Sequence, residues 1–191
     1  MRNLLVLFSV LSLTVSAAAQ NSGQVDEPGT YRFTEKVLFN NVGERDLHAE
    51  LVVRTKAFNQ ANHKITRSRP RDGQPDASPA ADKIDGRVPL GTGDGLPRVE
   101  IVSMVVNFGG VMVTVPEVLY GDCFNPNFDT DSFGTKFSDN GESMLVFMGG
   151  GEARNLYQVI WIIRKDGMHS RFINNCPDCD YKSILSFLHK K

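Results

Sequence analysis

The chain has 191 residues, of which 41% are hydrophobic, and its formal net charge is -1 at pH 7. This length suits a single domain that buries a core of its own. Because the charge is close to neutral, the composition does not predict the broad positive field that binds nucleic acids or anionic lipids. We therefore expect no nucleic acid among the partners.

Residues 1–19 have the layout of a secretory signal peptide. A basic start at Arg2 precedes an apolar run from Leu4 to Val15, which is too short to span a bilayer, and small residues follow up to Ala19. We predict cleavage after Ala19. The mature protein is then expected to be periplasmic or secreted, soluble and not inserted in a membrane. A buried first helix is the alternative interpretation.

Residues 20–30 are polar and predict a disordered leader. The next segment, residues 31–58, contains two stretches, YRFTEKVLF and AELVVRTKA, in which apolar and polar residues alternate. A period of two predicts strands with one buried face and one wet face. The polar connector NNVGERDLH between them predicts that the two strands pair as an antiparallel N-terminal β-hairpin.

Residues 59–97 break this pattern. They contain five prolines and several glycines, and almost no large apolar side chains. Proline and glycine at this density predict that most of the segment is a long flexible loop or linker, without a continuous helix or strand ladder. A loop of this length is unusual inside a compact domain. The segment is therefore expected either to separate the hairpin from the main domain or to form the functional surface.

Residues 98–191 are predicted to form the main antiparallel β domain. Three short turn sequences, NFGG, DNGE and DG, separate apolar runs, and glycine there permits the positive φ of a tight hairpin turn. The runs LVF and VIWII are apolar at every position. They predict central strands that are covered on both faces.

The last segment of the chain predicts a short helix. Asp180 is a suitable N-cap, and Ile184, Leu185 and Leu188 form one apolar stripe. Successive hairpins without alternating long helices exclude a doubly wound sheet. The predicted fold class is mainly β: an antiparallel β-sandwich or an open barrel of successive hairpins with a short C-terminal helix.

Three cysteines, Cys123, Cys176 and Cys179, are the disulfide candidates. Export to an oxidising compartment favours a disulfide over free thiols. We favour a bridge from Cys123 to Cys176 or Cys179, because closing a loop of about 53 residues restricts the unfolded chain by about 4 kcal/mol. A local bridge within CPDC is the first alternative. A thioredoxin-like dithiol is disfavoured, because that fold places most of its chain after the motif and here only about 12 residues follow.

Two metal sites can be constructed from the sequence. The three cysteines and His169 supply the ligand types of a structural zinc site, but their spacing matches no zinc finger. Asn125, Asn127, Asp129 and Asp131 place oxygen atoms at alternate positions, but the later ligands of an EF-hand are missing. Such side chains commonly bond their own backbone in turns. We predict no metal and no cofactor, and these four residues are the calcium candidates.

The sequence contains no recognised catalytic motif, and its four histidines stand in none. The leading hypothesis is an exported β-rich protein without catalytic activity, which binds a protein or polysaccharide of the envelope or exterior or has a structural role there. Its expected interaction surface comprises residues 59–97 and 121–135. One alternative is a carboxylate-dependent hydrolase of envelope or extracellular polymers, which requires acidic side chains to converge in a cleft. The other is a thiol-disulfide component that uses CPDC.

Overall fold

A computed structural model describes residues 27–37, 47–67, 81–93, 95–138, 140–151 and 156–174. Eleven strands lie in this part of the chain: β1 (Thr30–Val37), β2 (Leu47–Ala57), β3 (Ile65–Arg67), β4 (Ala81–Ile84), β5 (Val99–Phe108), β6 (Val111–Thr114), β7 (Pro126–Asn127), β8 (Phe133–Phe137), β9 (Ser143–Gly150), β10 (Tyr157–Arg164) and β11 (His169–Asn174). Two short 3-10 helices cover Gln60–Asn62 and Glu117–Leu119.

The described part of the chain is mainly β, as the sequence predicts. Within the described ranges, no helix is long and apolar enough to cross a membrane. The predicted signal peptide, most of the predicted leader and the helix predicted after Asp180 lie outside the described residues.

The first sheet has the strand order β1-β2-β5-β6, and each of its pairings is antiparallel. Tyr31 and Phe33 of β1 lie opposite Val53 and Leu51 of β2, which confirms the antiparallel pairing expected from their alternation. The next neighbour of β2 is β5, on the far side of the proline-rich connection. This connection therefore joins two adjacent strands of one sheet.

The second sheet has the strand order β11-β10-β9-β7, and β8 also pairs with β9. The three hairpins predicted from glycine turns are confirmed, because β5–β6, β8–β9 and β10–β11 are antiparallel neighbours. Gly109, Gly141 and Gly167 in these turns have φ values of 59°, 71° and 85°, which glycine adopts at no steric cost. β3 and β4 form a separate pair, and none of the described sheets closes into a barrel.

The inner faces of the first and second sheets supply one hydrophobic core. Leu51 and Met104 from the first sheet and Trp161 from the second are fully buried in it. At one side the edge strands β1 and β8 meet, and the rings of Phe33 and Phe133 stack with their centroids 4.0 Å apart. Burying side chains of this size stabilises the fold by about 1.5–3 kcal/mol each.

The middle of the second sheet is buried on its outer face as well. In β9, Val146 points into the core, while its neighbour Phe147 points the other way, and both are buried. In β10 the same arrangement holds for Trp161 and Ile160. The prediction that LVF and VIWII contain residues covered on both faces of a central strand is confirmed at these positions.

The proline-rich connection contains short elements that the sequence pattern does not predict. It contains the first 3-10 helix and the strands β3 and β4. Ile65 lies opposite Ile84, and Ile84 packs with Ala81 and Phe124 in a second, smaller hydrophobic cluster. A few apolar residues are enough to form this cluster because Phe124, from a distant part of the chain, packs against them. A local sequence pattern does not reveal such a contact.

Candidate functional site

The two loop segments that the sequence predicts as the interaction surface come together in the structure. Leu90 donates its backbone N–H to the carbonyl of Asp122 at 2.8 Å and accepts the N–H of Phe124 at 3.0 Å. The two segments therefore run side by side. We call the surface that they form the loop end, and it comprises residues 58–67, 81–93 and 121–129.

Asn125 fastens the connections of the loop end. Its side chain is 1% exposed. Its Oδ1 accepts the backbone N–H groups of Arg98 and Val99 at 2.8 and 3.1 Å, and its Nδ2 donates to the carbonyl of Gly91 at 2.9 Å. Its φ of 49° lies in the left-handed region, which asparagine tolerates better than most residues. One buried side chain thus holds three stretches of chain in a single arrangement.

Gly91 permits the close approach of these stretches. Its φ is 84°, and a Cβ at this position would lie 2.5 Å from the carbonyl oxygen of Phe124 and 2.6 Å from the ring of Tyr157. The hydroxyl of Tyr157 donates to the same carbonyl at 2.9 Å, and burial raises the pKa of this hydroxyl. Any larger residue at position 91 would push the connections apart.

An ionic cluster centred on His63 lies at the loop end. Nδ1 of His63 is 2.7 Å from Oδ2 of Asp85, and its Nε2 is 3.0 Å from Oε2 of Glu100. Glu100 is only 6% exposed, and Nζ of Lys56 lies 3.2 Å from its Oε1. The ring of Phe58 stacks on the imidazole with the centroids 4.6 Å apart. The cluster joins the β3–β4 pair to the first sheet.

The number of hydrogen bonds that His63 can donate in this cluster depends on how many N–H groups its ring carries. A neutral imidazole has one N–H, so when Nδ1 donates to Asp85 the lone pair of Nε2 faces the Glu100 carboxylate. Nε2 of His63 and Oε1 of Glu100 make no hydrogen bond in the structure, although Nε2 lies 3.0 Å from Oε2 of Glu100. A protonated ring would donate to both carboxylates. The hydrogen bonds from His63 and from the amide of Lys64 hold the pKa of Asp85 below its ordinary value.

A second ionic group lies over Cys123. Nη1 of Arg171 is 2.8 and 3.0 Å from the two carboxylate oxygens of Asp122, and its Nη2 is 3.5 Å from Sγ of Cys123. Cys123 is buried, and its thiol is free. Burial raises the pKa of this thiol well above its ordinary range. A thiol that stays protonated is a poor nucleophile and a poor metal ligand.

The predicted disulfide and the zinc set involve residues that the structure does not describe. Cys176 and Cys179 lie beyond Asn174, outside the described residues. A bridge from either of them to Cys123 therefore stays a prediction, and the structure has Cys123 in its free form. The zinc set, which adds His169 to the three cysteines, stays a prediction for the same reason.

Three of the four calcium candidates, Asn125, Asn127 and Asp129, use their side chains in hydrogen bonds to neighbouring groups. Asn125 fastens the loop end, and Nδ2 of Asn127 donates to Oδ2 of Asp129 at 2.8 Å. Oδ1 of Asp129 accepts the backbone N–H groups of Asp131 and Ser132 at 3.1 and 2.7 Å. Burial raises the pKa of Asp129, but these hydrogen bonds outweigh it and leave the pKa below its ordinary value. In the described residues, no three His, Cys, Asp or Glu side chains are arranged to hold a metal ion.

Sequence reasoning did not find the His63 cluster. His63 stands in no motif, and its two carboxylate partners come from the turn after β4 and from the start of β5. Glu100, the one charged residue in the mostly apolar strand β5, was the available signal, because a buried carboxylate needs a cationic or hydrogen-bonding partner.

Comparison of the chain with protein-family models, with curated proteins and with solved structures finds no match.

Proposed function

We propose that this chain is an exported, non-catalytic binding or structural protein with an antiparallel β-sandwich architecture. It contacts a protein or polysaccharide of the periplasm or exterior through the loop end. The main observation in support of the proposal is that the Asn125 side chain holds the loops in place with three hydrogen bonds. Binding residues are often found on loops that a rigid scaffold positions. Loops that are already ordered also lose less conformational entropy when a partner binds.

The ionisable groups near the loop end favour binding over catalysis. The Glu100 carboxylate is buried, 3.0 Å from Nε2 of His63 and 3.2 Å from Nζ of Lys56, and the Asp129 carboxylate is hydrogen-bonded within its own turn. A catalytic acid or base must instead reach the proton that it transfers. The buried Cys123 thiol has a raised pKa, which is opposite to the lowered pKa of a reactive thiol. The thiol-disulfide alternative rests on Cys176 and Cys179 and stays a hypothesis.

The loop end also presents side chains that a partner can contact. Val88 is 65% exposed. Lys64, Thr66 and Lys83 are exposed on and beside the β3–β4 pair. An apolar side chain within a polar rim is the usual composition of a protein-binding surface.

Partner capture with two matched variants tests the proposal. The mature protein is used to capture partners from the envelope fraction and the medium of its own cells, and mass spectrometry identifies them. Val88→Asp alters the loop end, and Met112→Asp alters β6 next to the turn at the opposite end of β5. The two side chains are 65% and 62% exposed. We expect Val88→Asp to reduce capture of a specific partner and Met112→Asp to leave it unchanged.

Two results would contradict the proposal. Equal capture by the two variants would place the contact away from the loop end. Release of soluble fragments from purified envelope polysaccharide, abolished by Glu100→Gln in a variant that still folds, would favour the hydrolase instead.

A further inference from the structure

The outer face of the second sheet carries a row of apolar side chains that points away from the core. Phe147, Ile160 and Phe172 lie next to one another across β9, β10 and β11. Phe147 and Ile160 are only 2% and 3% exposed, yet neither belongs to the two described hydrophobic clusters. Phe172, at the edge strand, is 55% exposed. The middle of this face is therefore covered, and its margin is not.

The C-terminal segment of the chain has the right position and pattern to cover this face. The described residues end at Asn174, the last residue of β11, and residues 175–191 follow directly. In that segment Ile184, Leu185 and Leu188 recur at helical spacing, Phe187 lies at the edge of this stripe, and Lys182, Ser183, Ser186 and Lys190 occupy the other side. A helix with one apolar stripe must bury that stripe against another element.

The other segments outside the described residues are less suitable. Residues 1–19 contain a long apolar run, but they are the predicted signal peptide and are expected to be absent from the mature chain. Residues 68–80 and 152–155 contain no large apolar side chain. Residues 38–46 connect β1 to β2, which belong to the first sheet. Residues 20–26 are mostly polar and contain one valine.

We propose that residues 175–191 turn back from β11 and pack as an amphipathic helix across the outer face of the second sheet, with the apolar stripe on Phe147 and Ile160. The dimensions agree with this placement. A helix of about 11 residues is about 16 Å long, and the three strand spacings from β11 to β8 amount to about 14 Å. The five residues before Asp180 reach about 17 Å when extended, which is enough to bring the helix over the face.

A photo-crosslinking group at position 145 tests this placement in the full mature chain. Leu145 is half-buried on the outer face beside Phe147, and it is distant from residues 175–191 in sequence. A benzoylphenylalanine there reports contacts that only folding creates. We expect a crosslink within one chain, mapped by mass spectrometry to a peptide between residues 180 and 191. Crosslinks only between two chains, only to another segment, or absent altogether would overturn the proposal.

Two neighbouring substitutions identify the face of the helix that makes the contact. Leu185→Asp places a carboxylate in the apolar stripe, and Ser186→Asp places the same charge on the opposite side of the predicted helix. We expect Leu185→Asp to lower the yield of the crosslink by about tenfold or more, because a carboxylate is disfavoured in an apolar contact. Ser186→Asp should leave the yield unchanged. Equal yields would overturn the proposal, and the crosslink in the unsubstituted chain decides it if Leu185→Asp does not fold.

Discussion

The first and second sheets are both antiparallel, but their outer faces differ in polarity and burial. On the first sheet, Arg32 and Glu50 form an exposed ion pair at 3.0 Å. On the second sheet, Phe147 and Ile160 point outward and are buried. An exposed ion pair contributes at most about 1 kcal/mol, whereas a buried large apolar side chain contributes about 1.5–3 kcal/mol. The second sheet therefore depends on a cover that the first sheet does not need.

Truncation of one outward side chain on each sheet gives the largest expected difference. Phe147→Ala on the second sheet should lower the free energy of unfolding by about 3–5 kcal/mol, because it leaves a cavity under the cover. The comparison on the first sheet is Val105→Ala, whose outward side chain is half-buried and smaller. It should cost about 1 kcal/mol or less. Urea unfolding measures both, and similar costs would show that the two outer faces are equivalent.

Substitution of Asn125 tests whether its hydrogen bonds connect the two sheets at the loop end. Besides its side-chain bonds, its carbonyl accepts the N–H of Gly151, directly after β9. Asn125→Ala should lower the free energy of unfolding by about 2–3 kcal/mol, because it leaves buried backbone groups without partners. Asn107→Ala is the control, since the Asn107 side chain accepts the exposed N–H of Gly110 at 2.7 Å. If both variants lose an equally small amount of unfolding free energy, the Asn125 side chain does not hold the loop end together.

Cys123, beneath Arg171 of β11, has a smaller expected effect. As a free buried thiol it should cost about 1 kcal/mol when replaced by alanine, and a maleimide should label it only after denaturation. The bridge to Cys176 or Cys179 predicted from the sequence would instead make Cys123→Ala cost about 2–4 kcal/mol. Cys123 would then be labelled only after reduction. Labelling of the native protein at Cys123 would contradict its burial.

The smallest expected effect is a pH dependence of stability. It should come from carboxylates of the loop end and not from the apolar outer face of the second sheet. The folded-state pKa values of Asp85 and Asp129 lie below the ordinary value of 3.8. The unfolded chain therefore binds protons more readily, so these carboxylates stabilise the fold above about pH 4 and lose that contribution as the pH falls through the lowered values.

The melting temperature, recorded between neutral pH and about pH 3, measures this dependence. We expect its decrease on acidification to be smaller in the double variant Asp85→Asn, Asp129→Asn than in the unsubstituted chain. Phe147→Ala should lower the melting temperature at every pH without changing the slope. A steeper acid slope in the double variant would have the wrong sign and would contradict the assignment.

The features that could be predicted from the sequence are those that neighbouring residues decide. Glycine at NFGG, DNGE and DG predicted three hairpins, and the apolar runs LVF and VIWII predicted strands buried on both sides. The proline-rich connection was expected to be mostly loop, and the short β3–β4 pair within it was not predicted, because Phe124 supplies its apolar contact from a distant part of the chain. That contact depends on chain approach over a long separation, which no local pattern contains.

The amino-acid sequence by itself determined the strand periodicity, the positions of the tight turns and the strands that are apolar on both faces, because each follows from the chemistry of a few consecutive residues. Only the tertiary structure placed His63 between Asp85 and Glu100 and Arg171 over Cys123. These partners come from different strands and connections, and they meet only after the strands have paired. Their proximity is therefore a consequence of sheet order, which the pattern within each strand does not specify.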